Sequence, residues 1–177
     1  MSRHAIIDLG TNSALLLIIE LNGTPSSIRL PFPPLPKKHP EQSLGFHVLK
    51  DEAAICRLGE GLHQHDYLSD AAQDRTLHVL HEFKTLCDTY HARDVTLVGT
   101  EACRRAKNIE TFQTRITQEL GWQLVVLSGS DEAALSYQAA IADHPLADPE
   151  TIVVDPVGVV RRGGFFLQDV GAGVGDV

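Results

Sequence analysis

Cysteine is scarce in this sequence, and the spacing of the cysteines indicates no motif. The three of them, Cys56, Cys87 and Cys103, are odd in number and far apart, with no Cys-x-x-Cys pair. A disulfide framework or a structural zinc site is therefore not expected. We predict instead that the three thiols are reduced and lie in the core of a cytoplasmic protein.

Long apolar runs are also missing. The longest, residues 14–19, is far too short to cross a bilayer. Residues 1–4 lead directly into a strand-like segment, so no signal peptide is expected. The sequence thus predicts no membrane partner.

An excess of positive charge is a third absence. The chain carries 15 Lys and Arg against 23 Asp and Glu, a formal net charge of −8. A protein that coats nucleic acid needs a broad basic face, so we predict no nucleic-acid partner. A phosphate chain can still be bound by a few local cations and a metal ion inside a cleft. The glycine-rich loop of P-loop nucleotidases does not occur, which excludes that class.

A polar turn between two apolar runs is the most informative segment that is present. Residues 5–9 and 14–21 read as two strands of a hairpin. We expect Gly10 to adopt a positive φ, so that backbone N–H groups face one concavity. Side-chain donors around it come from Thr11, Asn12 and Ser13. Asp8 is placed to hold a divalent cation through water. The alternative interpretation is a solvated hairpin turn.

Helical and strand-like patterns alternate along the rest of the chain, which predicts an α/β domain with a mixed sheet. Six of the nine prolines lie in residues 25–40, which we expect to form an insertion loop. A strand-like stretch at 46–49 and a glycine-bounded turn at 57–62 follow. The remaining predicted elements are a helix from Ser69 as N-cap to Tyr90, a strand at 94–100, helices at 101–107 and 109–120, a strand at 123–128, a helix capped by Ser130 and ending at Asp143, and a strand at 151–155.

Two further segments carry charged residues just after predicted strands. Arg104 follows the strand at 94–100, and ligands gather at the carboxyl ends of strands in open α/β sheets. It therefore either binds phosphate or belongs to a solvated helix face. Glu132 lies in the first turn of a helix, where it is either a capping carboxylate or a base that deprotonates an attacking water.

Histidine spacing raises a separate metal hypothesis. His63 with His65, and His78 with His81, have spacings compatible with metal ligation, although no nearby cysteine or carboxylate completes a set. Cys103 is not expected to be a nucleophile, because no histidine is close in sequence.

Four segments together resemble the exopolyphosphatase/guanosine pentaphosphate phosphatase family. They read AIIDLGTNS from residue 5, RLGEGL from 57, VGTEACRRAKN from 98 and SGSDEA from 128. The resemblance implies the ribonuclease-H-like fold of the actin-like ATPase superfamily. It also implies a hydrolase that removes terminal phosphate from polyphosphate or pppGpp with Mg²⁺.

The resemblance also implies roles for individual residues. Residues 8–13 would form the first phosphate loop, Arg104 would bind the phosphate chain, and Glu132 would be the general base. Asp8 and Asp155 would bind the magnesium ion.

The sequence departs from the family's pattern after Asp155. Family members continue there into a second phosphate loop, IGGGSTE, whereas this chain has Pro156, which lacks a backbone donor, and a glycine-rich segment. We expect residues 1–155 to form the phosphatase lobe and 156–177 to be an aberrant, disordered tail. A frameshift, a truncated gene or a degenerate relative would explain the change. Little or no hydrolysis is expected from this chain alone.

Two other functions remain open. The first is an ATP-dependent kinase lobe of the same superfamily, which shares the first loop. The second is a non-catalytic phosphate- or nucleotide-binding or scaffolding module, which would form a homodimer through an exposed sheet edge.

Overall fold

The computed structural model describes residues 2–21, 46–142, 152–155, 158–161 and 164–166. The chain divides into two compact units, Met1–Leu127 and Ser128–Val177. The proline-rich loop predicted at 25–40 lies outside the described residues. In the part of the chain that is described, no helix is both long and apolar enough to cross a membrane.

A mixed five-stranded sheet forms the first unit, in the order β3-β2-β1-β4-β5. The first three strands are antiparallel neighbours, and β4 and β5 run parallel to β1. The mixed sheet predicted from the sequence is confirmed. The strands are β1 (Ser2–Leu9), β2 (Ser13–Leu21), β3 (Phe46–Ile55), β4 (Asp94–Gly99) and β5 (Leu124–Val126).

Helices of the first unit connect these strands. Ser69 caps the longest of them, because its Oγ accepts from Ala72 N at 3.2 Å. That cap was predicted from the sequence and is confirmed. The predicted helix at 101–107 is shorter, ending at Arg105. The helices are α1 (Leu62–His65), α2 (Asp70–Thr89), α3 (Glu101–Arg105) and α4 (Ile109–Leu120).

One face of the sheet carries the core. Alternate residues of β1 are fully buried, and a stripe along α2 and the inner side of α4 completes the same cluster. Each large apolar side chain buried in this way contributes about 1.5–3 kcal/mol. Members of the cluster include Ile7, Leu9, Leu16, Leu80, Phe83, Leu97, Phe112 and Ile116. The opposite face of β1 presents Ile6 and Asp8, which are less buried.

The second unit contains α5 (Gly129–Ala142) and a three-stranded antiparallel sheet in the order β6-β7-β8. Its strands are β6 (Ile152–Asp155), β7 (Gly158–Arg161) and β8 (Gly164–Phe166). Two of them fall in the segment 156–177, whose sequence shows no strand period. The division of the chain at residue 155 and the separate origin of that segment stay predictions.

The capping residue of α5 differs from the prediction. The helix begins at Gly129, so Ser130 is already inside it, and Ser128 takes the capping position. Ser128 O accepts from Glu132 N at 3.0 Å, and Ser128 Oγ accepts from Asp131 N at 3.1 Å. Both serines suit a cap chemically, but only Ser128 stands where the chain turns into the helix.

Candidate functional site

The turn at residues 10–13 joins β1 to β2. Gly10 N donates to Ser13 O at 2.9 Å, which closes the turn. The positive φ expected for Gly10 is wrong, because Gly10 is not among the residues with positive φ. A side chain is disfavoured there for another reason: a Cβ on Gly10 would lie 3.2 Å from Ser13 O.

A second segment, residues 56–59, holds this turn in place by donating backbone hydrogen bonds to it. Cys56 N and Arg57 N both donate to Asn12 O, at 3.0 and 2.8 Å, and Gly59 N donates to Thr11 O at 2.9 Å. Arg57 has a left-handed backbone, with φ +50°. Sequence reasoning missed this contact, although the glycine-bounded run at 57–62 marked the segment as a turn.

Asp8 lies one residue before the end of β1. It is half-buried on the sheet face opposite Ile7 and Leu9, and its Oδ1 is shielded from solvent. Across the sheet it lies opposite Leu15 of β2 and Val98 of β4.

The carboxyl ends of β1, β4 and β5 are linked by hydrogen bonds. Thr100 N and Oγ1 both donate to Leu9 O, at 3.1 and 3.3 Å. Leu127 N donates to Gly99 O at 2.9 Å. A Cβ on Gly99 would lie 2.6 Å from Cys103 Sγ, so glycine is required where α3 packs on the strand end.

Arg104 is turned toward this edge of the sheet. Its Nη1 donates to Leu127 O at 3.0 Å and its N donates to Thr100 O at 3.0 Å. The side chain is half-buried. Its placement at the carboxyl edge is the one that the sequence analysis associated with phosphate binding.

The other two cations of this segment face outward. Arg105 Nη1 bonds His63 Nδ1 at 3.0 Å and lies 3.6 Å from Glu101 Oε1. Lys107 Nζ donates to Asp66 Oδ2 at 3.0 Å. These pairs tie the end of α3 to α1 on an exposed surface, which separates them in role from Arg104.

Cys103 reports on the charges at the sheet edge. Burial, together with a smaller contribution from the nearby Cys56, raises the pKa of its thiol to about 12. The charge of Arg104 opposes this rise, and that of Asp8 adds to it. A thiol this far from ionisation is a structural core group rather than a nucleophile.

Glu132 and Asp155 belong to the second unit. Glu132 is half-buried in the first turn of α5, directly after Asp131, whose carboxylate Oδ2 accepts from Ser128 Oγ at 2.6 Å. Asp155 is the last residue of β6.

Metal ligands are sparse in the described part of the chain. Within residues 2–21, 46–142 and the three short strands, no group of three or more His, Cys, Asp or Glu residues is arranged to hold a metal ion. The predicted histidine pairs serve other contacts: His81 Nε2 lies 3.3 Å from Glu119 Oε2, and His63 bonds Arg105.

Comparison with known families decides the relationship. The profile described as "Ppx/GppA phosphatase family" matches residues 37–159. The chain belongs to the Ppx/GppA phosphatase family. The resemblance drawn from the four sequence segments is thereby confirmed.

Individual relatives lie on both named branches of the family. The chain is 29% identical over 160 residues to exopolyphosphatase 2 of Mycobacterium tuberculosis, covering 88% of this chain and 45% of the relative. It is 29% identical over 152 residues to guanosine-5'-triphosphate,3'-diphosphate pyrophosphatase of Vibrio vulnificus, covering 86% and 26%. The chain thus spans less than half the length of these relatives.

A solved structure of the family has the same fold. The Aquifex aeolicus Ppx/GppA family member superposes with a TM-score of 0.64 at 26% identity, covering 81% of this chain and 40% of that one. The predicted ribonuclease-H-like, actin-like ATPase fold is confirmed.

Proposed function

We propose that this chain is the phosphate-holding lobe of a phosphoanhydride hydrolase that acts on the terminal phosphate of inorganic polyphosphate or pppGpp. One observation carries the proposal: the polar turn and Arg104 follow the carboxyl ends of two neighbouring parallel strands, β1 and β4, and these ends are hydrogen-bonded to each other. Ligands of open α/β sheets bind outside the carboxyl ends of such strands.

The turn supplies neutral donors to the phosphate. Its backbone N–H groups and the side chains of Thr11, Asn12 and Ser13 can donate to phosphate oxygens without adding charge. Arg104 adds a planar cation whose N–H groups match phosphate geometry. The two together bind a chain of phosphates on a protein that is acidic as a whole.

Asp8 and Asp155 are proposed as the protein ligands of Mg²⁺. Carboxylate oxygen is the donor that magnesium prefers, and the ion commonly keeps several waters beside one or two carboxylates. Asp8, at the phosphate edge, fits that requirement. When bound, the ion would neutralise charge on the phosphate chain.

Glu132 is proposed as the base that takes a proton from the attacking water. It lies in the first turn of α5, at the positive end of the helix dipole. An ionised carboxylate is the form that can accept a proton.

Hydrolysis by the chain alone is expected to be weak or absent. Phosphoryl transfer requires donors and charge positioned around the whole phosphate, and this chain spans 45% of its mycobacterial relative. The expected property is therefore binding of phosphate chains with little turnover. A cytoplasmic location is part of the same proposal and is supported by the three buried, unbridged thiols.

A binding module that dimerises is the second candidate. The favouring observation is β3, which lies at the end of the strand order and carries two exposed apolar residues, Val48 and Ile55, at 54% and 74% exposure. An exposed edge of this kind can pair with a second copy. Sedimentation would show a stable dimer, and Glu132→Gln would leave ligand binding unchanged.

The deciding experiment compares ligands and turnover on the same preparation. Calorimetry with Mg²⁺ should show binding of tripolyphosphate and longer chains, and weaker binding of ATP. Preference for ATP would support the kinase alternative, and no binding of any phosphate chain would contradict the proposal. Phosphate release should stay near background; strong magnesium-dependent release that Glu132→Gln abolishes would refute the expected inactivity of the lone chain.

A further inference from the structure

The peptide planes of the polar turn are oriented by residues 56–59. In a trans peptide the carbonyl of one residue and the N–H of the next point in opposite directions. Thr11 O and Asn12 O both accept hydrogen bonds from this segment. The N–H groups of Asn12 and Ser13 therefore point away from the segment, on the side left for a ligand.

Gly59 stands at the closest approach between the two segments. A Cβ on this residue would overlap Thr11 Cγ2, while Thr11 Cβ and Thr11 O would lie at 3.5 Å, an ordinary contact. The obstacle is thus one methyl group. Relieving the overlap requires either moving the turn or rotating Thr11 about χ1, and each of these moves the Thr11 hydroxyl.

The segment is itself fixed from its other side by helix α2. Arg75 Nε donates to Cys56 O at 3.3 Å and Arg75 Nη2 to Arg57 O at 3.4 Å, and the same guanidinium pairs with Glu60. Because helix α2 holds these carbonyls, the segment cannot easily retreat from a larger residue at position 59. The strain of a substitution falls on Thr11.

We propose that Gly59 is a positioning residue for the phosphate turn: its missing side chain sets the Thr11 rotamer and the direction of the turn's N–H groups. The inference rests on the proposed phosphate-binding function and adds to it a residue that touches no phosphate. Gly59 does not have a positive φ, so alanine suits its backbone, and the effect of Gly59→Ala comes from the added methyl group.

The test is a set of four chains: the unaltered protein, Gly59→Ala, Thr11→Ser, and the double variant. Serine keeps the hydroxyl and removes Cγ2, so it removes the overlap. Tripolyphosphate binding is measured by calorimetry with Mg²⁺, and exchange of the amide at position 59 by NMR. Gly59→Ala should bind roughly 10- to 100-fold more weakly, the loss of one or two hydrogen bonds to a charged group. Its amide at 59 should exchange faster, because the bond to Thr11 O is weakened.

Rescue separates positioning from a general loss of structure. Thr11→Ser, which keeps the hydroxyl and lacks Cγ2, sets the reference level of binding. The double variant should bind as well as Thr11→Ser does, with exchange at 59 slowed again. Binding and exchange unchanged in Gly59→Ala would overturn the proposal. A double variant as impaired as Gly59→Ala would also overturn it. If the unaltered chain binds no tripolyphosphate, the proposed function fails, and the exchange data alone decide whether Gly59 seats Thr11.

Discussion

The two segments at the carboxyl edge of the sheet differ in how they are held and in what they offer a ligand. The turn at 10–13 is fixed by backbone hydrogen bonds from residues 56–59 and offers neutral donors. The segment that follows β4 presents a charged side chain, Arg104 of helix α3, whose Nη1 donates to Leu127 O. Phosphate binding by the turn therefore depends on the geometry of its donors, and binding by the second segment depends on the charge of Arg104. Substitutions in the two should therefore differ in their dependence on salt, because screening weakens charge and leaves geometry unchanged.

Removing the charge of Arg104 should produce the largest effect on binding. Arg104→Gln is expected to weaken tripolyphosphate binding by roughly 10- to 100-fold and to flatten its dependence on salt. Calorimetry at several salt concentrations measures both quantities. By contrast, Gly59→Ala should weaken binding while keeping the salt dependence.

Arg105→Gln is the matched control, since Arg105 has the same chemistry but faces His63 and Glu101. Its binding should change by less than about threefold. Equal losses in Arg104→Gln and Arg105→Gln would show that the segment acts only as a diffuse positive surface.

Gly99, the last residue of β4, should affect stability more than binding. A Cβ on Gly99 would lie 2.6 Å from Cys103 Sγ and 3.1 Å from Leu124 Cδ1, inside the core. Gly99→Ala should therefore cost about 1–3 kcal/mol in the free energy of unfolding. Urea denaturation measures this loss.

Adding Cys103→Ala should recover part of the loss, because the sulfur is the nearest atom. An unchanged unfolding midpoint in Gly99→Ala would contradict the tight packing of α3 on the end of β4.

The exposed pair between Lys107 and Asp66 should give the smallest effect. The hydrogen bond and charge of Lys107 hold the pKa of Asp66 below its usual value, and Asp66 raises the pKa of Lys107 in turn. The stabilisation from ionised Asp66 is fully present at pH values above the usual aspartate pKa, and it is lost as the pH falls through the lowered pKa of Asp66. The stabilisation from protonated Lys107 is fully present at pH values below the usual lysine pKa, and it is lost as the pH rises through the raised pKa of Lys107.

Lys107→Gln should therefore lower the melting temperature by at most a few degrees near neutral pH. The difference from the unaltered chain should shrink at both extremes of pH. A difference that is independent of pH would show that the pair contributes through packing alone.

Local signals in the sequence predicted much of the fold. Ser69 caps α2 as predicted, and α4 spans the predicted residues 109–120, ending at Gly121 with φ +74°. Strand β3 runs to Ile55, well past the predicted 46–49. The prediction stopped short because Lys50, Asp51 and Glu52 interrupt the apolar pattern. An edge strand tolerates such charges, since it is only partly covered.

The candidate site was harder to predict where it depends on distant residues. Asp8 and the turn lie at the end of β1, and Arg104 lies in the helix that follows β4, as their sequence positions indicated. The hydrogen bonds from residues 56–59 to the turn join segments more than 40 positions apart, as in the Cys56–Asn12 contact. No local sequence pattern predicts such a contact. Gly10 shows the same limit, since its requirement is space near Ser13 O rather than a positive φ.

An NMR titration of the ¹⁵N-labelled chain with tripolyphosphate and Mg²⁺ tests the central claim most directly. Binding at the sheet edge predicts saturable amide shifts at Thr11, Asn12 and Ser13 together with Thr100 to Arg104. Residues of the exposed pair at Asp66 and Lys107 should shift little. Shifts that are absent from the turn, or that follow only the outward-facing cations, would contradict the account.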